Sequence, residues 1–282
     1  MLAKLQEIIQ KSEGAVGAFN TFNLEITQGI VRGARQAALP VIIQTTENAV
    51  KYAGLEALFF LIKSTIGHES GSVPIAIHLD HGKNLEIVRE ALALGYSSVH
   101  LDASEHPFEE NIRLTREAVE LGHAQGAWVQ GELGNIYGRE GLIKLQQGAG
   151  MEELFTRPEQ VREFVDRTGV DTIAVAIGSL HGHFVGKENL DFERLAAIRK
   201  EVGVPIVLHG GSGISDEQVR QAIEGGVKIV NVDTDLRLAF AERLRETLKL
   251  ERDLVDPREL LKPSVDAVSE AVSRKARLFN SI

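Results

Sequence analysis

Val16-Gly17-Ala18-Phe19-Asn20-Thr21-Phe22-Asn23 decides between two architectures. The stretch is apolar and strand-like through Phe19, then turns polar with no glycine from Phe19 to Asn23. An open, doubly wound sheet normally follows an early strand with a Gly-x-Gly-x-x-Gly turn, and that turn is missing. Seven further β-rich apolar runs follow, at 41–45, 75–80, 97–102, 127–133, 172–178, 206–209 and 228–233. Most begin about one strand-plus-helix length after the last. The one long gap, between the fifth and sixth runs, holds the Gly-rich segment 134–150. Eight strands alternating with helices predict an α/β chain folded as a closed parallel (β/α)8 barrel.

The intervening stretches carry helical spacing. Leu85, Val88, Leu92 and Leu94 form one face; Val161, Phe164 and Val165 form another, begun by Arg157-Pro158, where proline suits a first turn. Ser215-Asp216-Glu217 predicts a capped helix start. Gly95, Gly122, Gly126, Gly169 and Gly225 fall where helices should stop. Leu2, Leu5, Ile8 and Ile9 predict an extra amphipathic surface helix at the N-terminus. The residues beyond about 250 are surplus to a bare barrel; Leu261, Val265, Val268 and Val272 give them an apolar helical face, expected at a subunit interface. No linker interrupts 1–282, so one domain is expected.

The 282 residues include 40 acids and 31 bases, a formal charge of −9, which opposes nucleic-acid binding. At 43% apolar the chain can bury a large core. It has no cysteine, so disulfides are excluded and a metal must be held by His, Asp or Glu. The longest apolar stretch, 57–62, is far short of the ~18 residues of a spanning helix. A cytoplasmic protein without membrane or nucleic-acid partners is expected.

The polar residues are concentrated at strand ends: His78-Leu79-Asp80-His81-Gly82, His100-Leu101-Asp102, Gln130-Gly131-Glu132, His181-Gly182-His183 after run six, His209-Gly210-Gly211-Ser212-Gly213, and Asn231-Val232-Asp233-Thr234-Asp235. In a barrel these ends meet at the C-terminal mouth, where active sites are built. Six of nine histidines lie there, whereas His68, His106 and His123 fall in helices or loops and are taken as surface residues. A lone strand-end histidine is usually structural; this clustering points to a metal, for which imidazole is the commonest ligand. Strand alternation places His78 on Asp80's face, with His81 beginning the loop; His100 and His183 are read as structural or supporting. The Gly-Gly-Ser-Gly turn lets backbone N–H groups approach an anion, and the helix begun by Ser215 favours negative charge.

These motifs, with Ala18-Phe19-Asn20, Leu101-Asp102-Ala103-Ser104, Gly131-Glu132-Leu133-Gly134 and Ala174-Val175-Ala176-Ile177-Gly178, stand in the order seen in class II, metal-dependent ketose-bisphosphate aldolases. The chain resembles the fructose- and tagatose-bisphosphate branch from about residue 4 to the C-terminus. The resemblance implies one catalytic zinc ion on His81, His181 and His209, with Glu132 and Asp102 close by as an alternative ligand or as supporting carboxylates. A second metal or a monovalent cation stays open. Asp80 is implied as the acid/base, and Gly182, Gly210, Gly211, Ser212, Asn231, Asp233 and Thr234 as holding the dihydroxyacetone phosphate half. Asn20 and Thr46 match positions lining the sugar chain. Arg258 matches an arginine sent into a neighbouring subunit, so a homo-oligomer, dimer or tetramer, is implied. The activity implied is reversible, zinc-dependent cleavage of a ketose 1,6-bisphosphate, a carbon–carbon lyase reaction.

One segment departs from the pattern. The family's acidic, Gly-rich loop reads Asn135-Ile136-Tyr137-Gly138-Arg139-Glu140-Gly141, in which only Glu140 matches the proton-shuttling glutamate. A related phosphorylated or sulfonated ketose, or a non-catalytic sugar-phosphate sensor, therefore stays open. Two other chemistries fit less well. A Schiff-base aldolase needs a lysine in the site, but alternation puts Lys228 opposite Asn231 and Asp233. An amidohydrolase-type zinc barrel needs His-x-His at strand one, which has no histidine.

Overall fold

A computed structural model describes residues 1–134, 138–142, 154–179, 181–183 and 189–281, with the backbone alone for 138–142 and 181–183. All eight expected runs form strands. In chain order the strands are β1 (Val16–Asn20), β2 (Val41–Thr46), β3 (Ile75–Gly82), β4 (Ser98–Leu101), β5 (Trp128–Leu133), β6 (Gly138–Leu142), β7 (Thr172–Val175), β8 (His181–His183), β9 (Ile206–Leu208) and β10 (Val227–Val232). Eight close a barrel in the order β1-β10-β9-β7-β5-β4-β3-β2, and β6 pairs with β8 in a separate two-stranded sheet. The barrel pairings are all parallel. The helices are α1 (Leu5–Lys11), α2 (Leu24–Ala37), α3 (Glu47–Ala53), α4 (Leu55–Glu69), α5 (Leu85–Leu94), α6 (Phe108–Ala124), α7 (Pro158–Thr168), α8 (Phe192–Glu201), α9 (Asp216–Glu224), α10 (Thr234–Leu250) and α11 (Pro257–Asn280). None of the described helices is long and apolar enough to cross a membrane.

Local sequence sets the helix ends. Asn23, Asn84 and Ser215 accept first-turn N–H groups of α2, α5 and α9, each satisfying donors the helix leaves open. Pro158 opens α7. Gly95 and Gly169 close α5 and α7 in the left-handed conformation. Helix α6, however, runs through Gly122 to Ala124.

Strand alternation divides the core in two. Ile75, Ile77 and Leu79 of β3 join the large apolar layer under the helices. Val16, Ala18, Ile42, Ala76, Ala174, Val207 and Ile229 form a second cluster inside the barrel. Helix α1 is the expected amphipathic helix: Glu7, Gln10 and Lys11 are exposed, while Leu5, Ile8 and Ile9 are buried in that inner cluster. Periodicity identified the apolar face but not its target. Several interior positions are alanine, and α1 fills the space they leave.

The expected C-terminal apolar face also turns inward. Val265, Val268 and Val272 of α11 are buried. They pack where α2 carries Gly29 and Gly33, whose missing side chains admit Val268 and Val272. Lys228 fits its structural reading, its Nζ donating to the carbonyls of Glu13 and Gly14 before β1.

Candidate active site

The inner face of each strand changes character toward its C-terminal end. Below lie Val16, Ala18, Ile42, Ala76, Val207 and Ile229; above lie Asn20, Gln44, Asp80, His100, Glu132, His209 and Asn231, all buried. Buried polar groups persist when they pair with one another. Gln44 Nε2 donates to Asn20 Oδ1 at 2.5 Å and to Asp80 Oδ2 at 3.2 Å, and Asn20 Nδ2 donates to Asp80 Oδ2 at 3.3 Å. One carboxylate oxygen is thereby clamped. The other, Asp80 Oδ1, is buried without a hydrogen-bond partner. His78 lies on the same face with Nδ1 2.8 Å from Ser98 Oγ; burial lowers its pKa to about 3 and keeps it neutral.

His81 does not simply begin a loop. Strand β3 continues through it to Gly82, but its register against β4 shifts between Leu79 and Gly82. His81 sits at φ 50°, a left-handed conformation costly for a side chain with a Cβ. Irregularities of this kind re-aim side chains beside active sites. Here the imidazole comes back toward its neighbour, with Nε2 3.9 Å from Asp80 Oδ1.

His81 Nδ1 meets Asp102 Oδ2 at 2.8 Å, and His81 Nε2 lies 3.0 Å from His209 Nδ1. Asp102 is held in turn by the Lys83 ammonium at 2.6 Å and the Ser104 hydroxyl at 2.6 Å. His209 Nε2 faces the side-chain amides of Gln130 and Asn231 at 3.3 and 3.5 Å. Glu132 Oε2 lies 3.7 Å from His100 Nε2 and 3.9 Å from His209 Nε2, and both Glu132 Oε2 and His100 Nε2 lack hydrogen-bond partners.

This group is short of positive charge. Burial opposes ionisation of Asp80, yet His81 and the neighbouring imidazoles hold it well below the usual carboxylate range. Burial also opposes ionisation of Asp102, but the His81 hydrogen bond and charge outweigh it. Burial raises Glu132 to about 8, reinforced by Asp102. His81 resists burial because Asp80, Asp102 and Glu132 surround it, and its pKa rises to about 10.

The residues fit a divalent cation. Ligand atoms of Asp80, His81, His100 and His209 lie within 4.8 Å of one another, as do those of His81, His100, Asp102 and Glu132. Carboxylates gathered around neutralisable imidazoles, with orphaned acceptor atoms between them, suit a cation that replaces the His81 proton. The Asp102–His81 contact fixes the tautomer that leaves Nε2 as the ligand atom. Of the expected metal residues, His81, His209, Asp102 and Glu132 are thus brought together. The side chains of His181 and Glu140 lie outside the described residues. Their backbones adjoin, because Gly138 of β6 pairs with His181 of β8.

A cleft of about 390 Å³ opens beside this group, lined by Asn20, Gln44, Asp80, His81, His209, Gly210, Ser212, Asn231, Val232, Asp233 and Thr234. The helix presenting its N-terminus to the cleft is α10, through Thr234, not the expected α9. The positive end of its dipole favours an anion. Asp233 at its cap pairs with Arg237 at 2.7 Å, and that guanidinium lies over the Phe22 ring. Gly211 lies behind the lining. A Cβ there would stand 2.5 Å from Val230 Cγ1 and 2.7 Å from Asn231 O.

Gly182 belongs to β8, which is described by its backbone alone, so its place relative to the cleft lies outside the described residues. Thr46 and Arg258 are not among the described residues lining it. Thr46 accepts the Ala49 N–H and caps α3. Arg258 is exposed at the start of α11 and forks onto Asp256. Sequence reading missed Gln44 and Lys83. Gln44 had one usable signal: two residues before Thr46, it shares that strand face. His68, His106 and His123 are exposed, as expected.

Comparison with known proteins agrees with this geometry. The family model for "Fructose-bisphosphate aldolase class-II" matches residues 1–282. The fructose-bisphosphate aldolase of Geobacillus stearothermophilus is 39% identical over 284 residues, covering 99% of this chain and 97% of that one. That of Thermus caldophilus is 41% identical over 308 residues, covering 100% and 99%. Among solved structures, the YdjI aldolase of Escherichia coli K12 superposes with a TM-score of 0.84 at 34% identity, covering 100% of this chain and 98% of that one. A putative fructose-1,6-bisphosphate aldolase of Coccidioides immitis gives 0.85 at 31%, covering 99% and 96%. A parallel barrel whose mouth gathers buried histidines and carboxylates beside a glycine-rich turn, matched along its whole length, identifies the chain as a member of the class II fructose-bisphosphate aldolase family.

Proposed function

We propose that this protein cleaves a ketose 1,6-bisphosphate of the fructose or tagatose type, reversibly, into dihydroxyacetone phosphate and an aldehyde such as glyceraldehyde 3-phosphate. The observation that carries the reading is the juxtaposition of the His81–His209–Glu132 group with a cleft whose far wall is Gly210, Ser212 and the start of α10. In this reading zinc is held by His81, His181 and His209, with Glu132 and Asp102 close by. When bound, such an ion stabilises the negative charge that develops beside a ketone as a carbon–carbon bond breaks.

The chain's own residues do the rest. Asp80 takes the proton from the C4 hydroxyl; the C3–C4 pair then flows toward the C2 carbonyl as the C4 aldehyde leaves. Its anionic state suits a base, and the Gln44–Asn20 clamp fixes the direction of its free Oδ1. Glu140 returns a proton to C3 and completes dihydroxyacetone phosphate. Gly182, Gly210, Gly211, Ser212, Asn231, Asp233 and Thr234 form the phosphate cradle, and anchoring that remote group keeps the reacting carbons in register. Asn20, Thr46 and Gln44 border the sugar chain. The protein is read as a cytoplasmic homo-oligomer in which Arg258 reaches a neighbouring site.

The test is turnover of fructose and tagatose 1,6-bisphosphates with metal content measured on the same sample. Dihydroxyacetone phosphate release that stops on chelation and returns with zinc is expected. Full activity in stripped protein, with borohydride trapping a lysine adduct, would overturn the reading.

A further inference from the structure

Lys275 is the only lysine or arginine buried among the described residues, and no step above uses it. It lies near the end of α11, 64 residues beyond the glycine turn in sequence. Its Nζ donates to Gly211 O at 3.0 Å and lies 2.7 Å from Asp235 Oδ2. Asp235 in turn donates its backbone N–H to Ser212 Oγ at 3.1 Å. On its other side, Gly211 N–H donates to Asn231 O at 2.8 Å.

These bonds fix the orientation of the turn. A trans peptide holds its C=O and N–H antiparallel, so anchoring Gly211 C=O on Lys275 turns the Ser212 N–H away from Lys275. Among the described residues nothing accepts from that N–H, and Ser212 lines the cleft. The Ser212 hydroxyl already accepts from Asp235, so its single proton is left to donate. Taking an ammonium out of water is costly unless its contacts compensate. Both contacts described for Lys275 go to the turn or to the residue bracing it.

We propose that Lys275 is a positioning residue for the phosphate of the substrate: it aims two donors of Ser212 into the cleft and makes the C-terminal helix part of the binding site. This rests on reading the 210–213 turn as a phosphate cradle. The experiment measures dihydroxyacetone phosphate binding by calorimetry, together with steady-state kinetics, metal content and melting temperature. Lys275→Met should weaken binding ~10–100-fold, as for a lost charged hydrogen bond, and raise the bisphosphate KM similarly. Its kcat and zinc content should stay near the parent's. Asp235→Asn keeps the Lys275–Gly211 contact and should weaken binding by less than about threefold, since neutral amides still make ordinary hydrogen bonds. Equal losses in both variants would make the pair a mere helix pin and overturn the proposal, as would unchanged binding in Lys275→Met. If Lys275→Met fails to fold, Lys275→Arg takes its place with the same split of KM from kcat expected, because a planar fork cannot reproduce a compact ammonium; a parent-like KM there overturns it. If the parent itself does not bind dihydroxyacetone phosphate, the cradle reading falls, and this proposal with it.

Discussion

His81 touches Asp102 through Nδ1 at 2.8 Å and approaches His209 through Nε2 at 3.0 Å. One ring thus links a buried carboxylate to a second imidazole. The carboxylate holds the proton on Nδ1, so the nitrogen facing His209 is the one that can ligate a cation once its own proton is displaced. The left-handed backbone at His81 makes this approach possible.

Asp102→Asn should therefore reduce metal affinity ~10–100-fold, the usual cost of removing a carboxylate behind a ligand histidine. Competition with a fluorescent chelator measures it. Lys83→Met frees the same carboxylate from its ammonium and should leave affinity equal or higher. A parent-like Asp102→Asn would mean that the contact does not orient the ring.

Asp80→Ala should lose ~10²–10⁴ in kcat, the range for general acid–base catalysis, while still binding dihydroxyacetone phosphate. Stopped-flow cleavage and metal analysis separate the two effects. Metal loss parallel to activity loss would make Asp80 a ligand rather than the base.

Gly33→Ala should destabilise the fold although alanine favours a helix by about 1 kcal/mol. The new Cβ would stand 2.5 Å from Ser269 O and 2.7 Å from Val272 Cβ, and overpacking costs about 1–3 kcal/mol. Contacts this short put the cost in the upper part of that range, so about 1–2 kcal/mol remains after the propensity gain and the melting temperature drops by roughly 2–4 °C for a domain of this size. Gly67→Ala in α4 meets nothing within 4 Å and should raise it. A stabilised Gly33→Ala would show that α2 and α11 part freely.

Tyr96 gives an alkaline signature. Its hydroxyl pairs with Thr45 Oγ1 at 3.0 Å, and burial raises its pKa to about 12. The unfolded chain releases that proton near 10. Between those values the unfolded state binds fewer protons, so stability is full below about 10 and falls as pH rises through the window. Each pH step there costs about 1.4 kcal/mol. Urea midpoints at pH 9 and 11 should converge in Tyr96→Phe; identical slopes in parent and variant would refute the assignment.

Chain order alone determined the eight strands, the capped start at Ser215 and the proline start at Pro158, and the gathering of His209, Asp80 and Glu132 at one mouth. Parallel strands in a barrel all end on the same side, so residues closing separate apolar runs converge whatever their distance in sequence. Periodicity also gave the buried faces of α1 and α11. It could not say what those faces meet, since an apolar stripe is indifferent to its partner: α1 fills the barrel's inner core, and α11 lies on the glycines of α2. The His81 register shift, the Gln44–Asp80 clamp and the Lys275–Gly211 contact belonged to tertiary structure alone. Each depends on where two distant backbones come within a few ångströms, and a linear pattern records which residues are polar but not which of them touch.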